Sequence, residues 1–194
     1  MRTSALLLGI LTSVTLALPV TPASAAAVIF GSKLTHEPTP AETCKQGRPS
    51  DMCSWVMTIA QANVGHETAP KAGTIAKLRL RSCSPGSFVL QIARTNTART
   101  LARATRTGPE INYKGSATNC NGGSVIETFN VNVPVLKGDR LAVIATKVGF
   151  IYNASGDGTL VYDPPLADGG VFRAVGNTAG LGSGILLLQA EYAP

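Results

Sequence analysis

From residue 53 onward, apolar side chains recur at every second position in short runs separated by turn residues. "SWVMTIAQ" puts Trp55, Met57 and Ile59 on one face. "TIAKLRLRS" sets Ala76, Leu78 and Leu80 against Lys77, Arg79 and Arg81, and "FVLQIAR" turns Phe88, Leu90 and Ile92 inward. "VIETFNVNVPV" gives Val125, Phe129, Val131, Val133 and Val135 a common face. "TLARATR" is a weaker strand, and "RLAVIAT" and "ILLLQAEY" complete the set. A period of two marks a half-buried strand, because successive side chains point to opposite faces of a sheet. No segment carries a helical period. The pattern predicts an all-β protein, an antiparallel, jelly-roll-like β-sandwich over residues 53–194.

The preceding stretch reads differently. Residues 26–52 form an extended lead-in, where Pro38 and Pro40 forbid a helix. Residues 1–25 have the three parts of a secretory signal peptide. These are a charged start at Arg2, an apolar run from Ala5 to Leu18, and small residues at Ala23-Ser24-Ala25. That run is shorter than the roughly 20 residues a membrane-spanning helix needs. The expectation is a secreted protein, extracellular or cell-wall associated, with no transmembrane anchor. Cleavage leaves a chain the size of one domain.

Composition and charge narrow the partners. The chain carries a formal net charge of +6 with few charged residues overall. A basic balance in an exported protein favours anionic surroundings such as envelope polymer, and no nucleic-acid-binding motif is present.

The cysteines, Cys44, Cys53, Cys83 and Cys120, are even in number in an exported chain, which predicts two disulfides. Zinc fails on spacing, because no C-x-x-C pair exists and His36 and His66 fall in no ligand pattern. Of the three connectivities, Cys44–Cys53 is local, flanking "KQGRPSDM", and leaves Cys83–Cys120. A simple up-and-down trace supports this choice. If the strand reaching Arg81 runs upward, Cys83 and Cys120 both arrive at the top. The same trace puts loops 108–123 and 149–158 at the top. It puts 95–100 and the turn Lys137-Gly138-Asp139 at the bottom.

The order "ETAPKAGTIAKLRLRS", "FVLQIAR", "FNVNVPVLKGDRLAV" and "LLLQAEY" resembles secreted β-sandwich proteins of actinobacteria. Their pattern is a proline and glycine leading into a strand, a valine-rich strand ending in a Gly-Asp turn, and a C-terminal "LLLQA"-like strand. The resemblance covers Glu67 to Tyr192 and implies a jelly-roll-like sandwich with no established activity.

Little in the sequence speaks for catalysis. Gly138 supplies the positive φ that a tight turn needs, and Asp139 hydrogen-bonds the local backbone. Placed between Lys137 and Arg140, Asp139 reads as a surface turn residue. Asp139→Asn should then cost less than about 1 kcal/mol. No G-x-S-x-G elbow is present, and "GLGSG" has its serine out of place. Glu127 is a lone acid on an apolar strand face. Asp157, Asp163 and Asp168 sit beside glycine or proline, the ordinary composition of turns rather than a calcium loop. No metal or cofactor is expected.

Two groups remain as candidate contacts. Tyr113, Phe150 and Tyr152 lie in the top loops and are candidates for saccharide binding. Arg94, Arg99, Lys137 and Arg140 gather at the bottom and are candidates for holding an anionic surface, with Asp139 alone opposing them. Trp55, in a strand pattern, belongs to the core. The sequence thus points to a secreted, non-enzymatic sandwich, structural or envelope-associated, with carbohydrate binding by the top loops as the alternative.

Overall fold

The computed structural model describes residues 27–39, 41–44, 51–58, 66–116, 120, 123–153, 158–174, 181–182 and 184–193. The predicted signal peptide, Ile59 and Asp157 lie outside the described residues. No helix among the described residues is long and apolar enough to cross a membrane.

The chain forms an antiparallel β-sandwich of two main sheets. The smaller contains β1 (Val28–Gly31), β4 (Gly73–Ser82), β7 (Val125–Val135) and β15 (Leu188–Ala193), in the order β1-β15-β4-β7. The larger sheet contains β3 (Cys53–Met57), β5 (Gly86–Thr95), β6 (Leu101–Tyr113) and β8 (Arg140–Ala145). It also takes in β11 (Thr159–Tyr162), β12 (Arg173–Ala174) and β13 (Leu181–Gly182), and its order is β12-β6-β5-β8-β3-β11-β13. Two short ribbons complete the fold. One pairs β2 (Glu42–Thr43) with β9 (Lys147–Val148), and the other pairs β10 (Ile151–Asn153) with β14 (Gly184–Leu186). The chain crosses between the main sheets repeatedly, as from β3 to β4, β4 to β5, β6 to β7 and β7 to β8.

The core lies between the sheets. Phe88, Leu90 and Ile92 of β5, Leu78 and Leu80 of β4, Val133 and Val135 of β7 and Trp55 of β3 are all buried in it. The indole Nε1 of Trp55 donates to the Ala145 carbonyl at 3.3 Å. The predicted face of β4 fails at one position. Ile75, not Ala76, is buried, because a register shift between Ile75 and Lys77 inserts one residue and reverses the alternation beyond it. Val125 is also exposed, so the inward face of β7 begins at Glu127.

The lead-in is not merely extended. Phe30 of β1 is fully buried and meets Tyr192 edge-on, with ring centroids 5.5 Å apart. β1 completes the small sheet by pairing with β15. Further on, the Arg81 guanidinium holds both the Leu34 carbonyl, at 3.1 Å, and the Glu37 carboxylate.

The large sheet is covered on its outer face too. A second cluster of Val56, Ala93, Ala102, Ala104, Ala142, Leu160 and Tyr162 packs there against Leu166. Leu166 belongs to the strap between β11 and β12, which a closed polar triangle fastens. Ser54 Oγ donates to Gln91 Oε1 at 2.7 Å, Gln91 Nε2 to the Leu166 carbonyl at 3.0 Å, and Leu166 N–H to Ser54 Oγ at 2.9 Å. All three polar groups are thereby satisfied inside an apolar layer, where an unpaired one would cost about 1–3 kcal/mol.

Candidate functional site

The top of the sandwich holds a polar cavity of about 290 Å³ between two disulfide-braced walls. One wall is the turn from β4 to β5, with Ser84, Pro85, Gly86 and Ser87. Cys83 begins this turn and is bonded to Cys120, with Cα atoms 5.0 Å apart. The other wall is Thr146, Lys147 and Gly149, following β8. It is held by the second bridge, Cys44–Cys53. Cys44 N–H donates to the Thr146 carbonyl at 2.8 Å, and Cys53 pairs with Ala145 across the sheet. Both bridges are the ones the sequence predicts.

Tyr113, the last residue of β6, forms the floor. Its ring packs against Phe88 and meets Phe150 edge-on at 5.4 Å. Its hydroxyl accepts the Gly149 N–H at 3.2 Å. Two glycines make room for it. A side chain at Gly86 would collide with this hydroxyl, and a Cβ at Gly149 would lie 2.7 Å from Ser84 Oγ and 3.2 Å from the phenol oxygen. Burial pushes the Tyr113 phenol above its ordinary range, with the Gly149 N–H acting in the opposite direction. It stays a neutral donor whose proton is free to point into the cavity. Among the described residues, the hydroxyls of Ser84, Ser87 and Thr146 have no protein hydrogen-bond partner. The arrangement can therefore bind a small polyhydroxylated molecule through fixed donors and acceptors.

The predicted aromatic platform is not there. Phe150 is 0% exposed and Tyr113 only 4%. Residues 147–153 do not form an open loop, because the ribbon strands turn Val148, Phe150 and Ile151 into the core. Tyr113 contributes its hydroxyl alone, and Phe150 only supports it. Tyr152 is half-buried away from the cavity, its ring tilted over His36 at a centroid distance of 4.3 Å. The predicted loop 108–123 is also shorter, because β6 runs through Gly108 to Tyr113.

The bottom end does gather Arg94, Arg99, Lys137 and Arg140, but not as a free cationic patch. Arg94 Nε is 2.7 Å from Asp139 Oδ1. Glu67, which the sequence reading left out, pairs with Arg99 at 3.1 Å and Arg140 at 3.7 Å. Arg140 is only 7% exposed and donates to the Thr58 carbonyl at 2.8 Å. Desolvation lowers its pKa, and the Arg99 charge adds to the effect. Of the four, Arg99 and Lys137 are exposed, Arg99 as the partner of Glu67.

Asp139 is likewise not a surface residue. It is 2% exposed, and its Oδ2 accepts the Leu136 N–H at 2.7 Å. Gly138 adopts φ +85° with open space around it, as a tight turn requires. Asp139 turns the chain, but from inside, and the small expected cost of its substitution no longer holds.

Other acids also clamp loops. Glu127 accepts the N–H groups of Lys114 and Gly115 at 3.1 and 2.9 Å. Asp168 accepts the N–H and the hydroxyl of Thr107, each at 2.8 Å. Among the described residues no three His, Cys, Asp or Glu side chains converge as a metal site. The cavity residues Ser84, Ser87, Thr146 and Lys147 were missed by sequence reasoning. The one available signal was a glycine beside each wall, Gly86 and Gly149, each near a cysteine-anchored turn.

Comparison with protein-family models, curated proteins and solved structures returns no match.

Proposed function

We propose that this is a secreted, non-enzymatic β-sandwich that works at the cell envelope by holding a saccharide of an extracellular polymer in the top cavity. The observation that carries this reading is the cavity itself: hydroxyls on two walls with no partner among the described residues, each wall fixed by a disulfide. Rigid donors lower the ordering cost of binding, and a sugar matches them hydroxyl for hydroxyl. The disulfides are those of an oxidising compartment. Glu127, Asp139 and Asp168 are engaged with backbone N–H groups, and Asp139 also with Arg94, which favours a binding or structural role.

The alternative attachment, through bottom-end arginines on anionic polymer, loses support because Glu67 and Asp139 compensate them. Retention of the purified protein on isolated wall polymer separates the two. Release by soluble oligosaccharide at constant ionic strength is the outcome expected. Release by salt alone, with no competition by sugar, would return the function to electrostatic attachment.

A further inference from the structure

From the charge and placement of the cavity rim, we infer that the bound sugar is acidic: a uronate-type unit whose carboxylate meets Lys147 while its hydroxyls meet Ser84, Ser87, Tyr113 and Thr146. This rests on the reading of the cavity as a saccharide site. Lys147 is the one charged residue of the lining among the described residues, and it is exposed at the rim. The hydroxyl lining alone would suit a neutral sugar. A lysine beside it adds an ammonium with three donors and no acceptor, which selects for an anion.

The strand pairing turns Glu42, the acid of the neighbouring strand, away from this rim. In the β2–β9 ribbon, Lys147 faces Thr43 and Val148 faces Glu42. Paired residues share a face and successive ones alternate. Val148 is fully buried, so Glu42 lies on its inward side, opposite Lys147. Burial raises the Glu42 pKa, consistent with that inward position. The single cation also limits the anion. One ammonium balances a singly charged carboxylate, whereas a phosphomonoester of about −1.5 to −2 would remain under-compensated. At about 290 Å³ the space takes one sugar unit, so the polymer would be gripped at a terminal or protruding acidic residue.

The test is calorimetric titration of the full-length secreted protein with an oligouronate and with its carboxyl-reduced, neutral counterpart. The parent should prefer the oligouronate about tenfold, the scale of one charge-assisted hydrogen bond. Lys147→Met should remove that preference. Lys137→Met, at the other end, should keep it. Equal affinity of the parent for both ligands would overturn the acidic-sugar inference and leave the saccharide reading standing. Failure to bind either would overturn both. A preference surviving in Lys147→Met, or lost in Lys137→Met, would show that the carboxylate is not read at this rim. Lys147 is exposed on a two-residue strand, so its replacement leaves the core intact.

Discussion

The two ends of the sandwich are built from the same elements, strand ends and tight turns, but they leave their polar groups in opposite states. At the bottom, Arg94, Arg99 and Arg140 each have an acid or a carbonyl in reach, and Asp139 is buried as the hub of its turn. At the top, Ser84, Ser87, Thr146 and Lys147 face an open cavity whose walls are set by covalent bonds. The sequence draws attention to the bottom, because charges are conspicuous there. Internal pairing compensates most of that charge. The proposed function is placed instead at the end whose polar groups the fold leaves unused.

The largest expected effect lies at the top. The Cys83→Ser and Cys120→Ser double variant should lose about 4 kcal/mol of stability on the loop-entropy estimate, whereas opening the shorter Cys44–Cys53 loop should cost about 3. Urea unfolding of the oxidised protein measures both. A loss below about 1 kcal/mol for the longer loop would mean that its wall is held by packing alone.

At the bottom, Asp139→Ala removes a buried acceptor and the partner of Arg94. It should cost about 2–3 kcal/mol in the same measurement, with saccharide binding unchanged. Lost binding in the folded variant would break the separation between the ends.

A smaller effect sharpens the contrast through pH. Glu42 is raised by desolvation, so between its unfolded and folded pKa values the folded state binds more protons. That makes stability fall as pH rises from near 4.5 through the higher folded value. Glu42→Gln should therefore melt higher than the parent at neutral pH and equal to it in acid. The smallest effect belongs to Lys137→Gln, an exposed turn residue, which should change stability by less than about 0.5 kcal/mol.

Much of the fold was legible in the residue pattern, and the reasons are local. The inward faces of β5 and of most of β7 follow from strict alternation. The Cys44–Cys53 pairing follows from closeness in sequence, and Cys83–Cys120 from antiparallel direction, which also puts 95–100 and the Lys137–Asp139 turn at the bottom. The same trace fails for 149–158, because Thr159 pairs with Met57 and Gly158 therefore lies at the bottom. What escaped depends on single insertions or distant partners. One extra residue at Ala76 brings Ile75 inward. β1 becomes a strand only because β15, at the far end of the chain, offers an edge to Phe30 and its neighbours. The aromatic site was misplaced for a related reason. Tyr113 and Phe150 lie in loop-like sequence, but Phe88 gives them an apolar surface to cover. The serines and threonine of the cavity are ordinary turn residues in sequence, and only the meeting of two turns distant in the chain makes them a site.

The separation of the two ends is tested most directly by retention on isolated wall polymer, comparing the parent, Ser87→Trp and Lys137→Gln, with folding checked by circular dichroism. Ser87 lines the cavity and is exposed, so a tryptophan there fills the space without entering the core. The account predicts at least an about tenfold loss of affinity for Ser87→Trp, some 1.4 kcal/mol, and none for Lys137→Gln. Retention unchanged by Ser87→Trp but weakened by Lys137→Gln would contradict it and move the binding surface to the bottom of the sandwich.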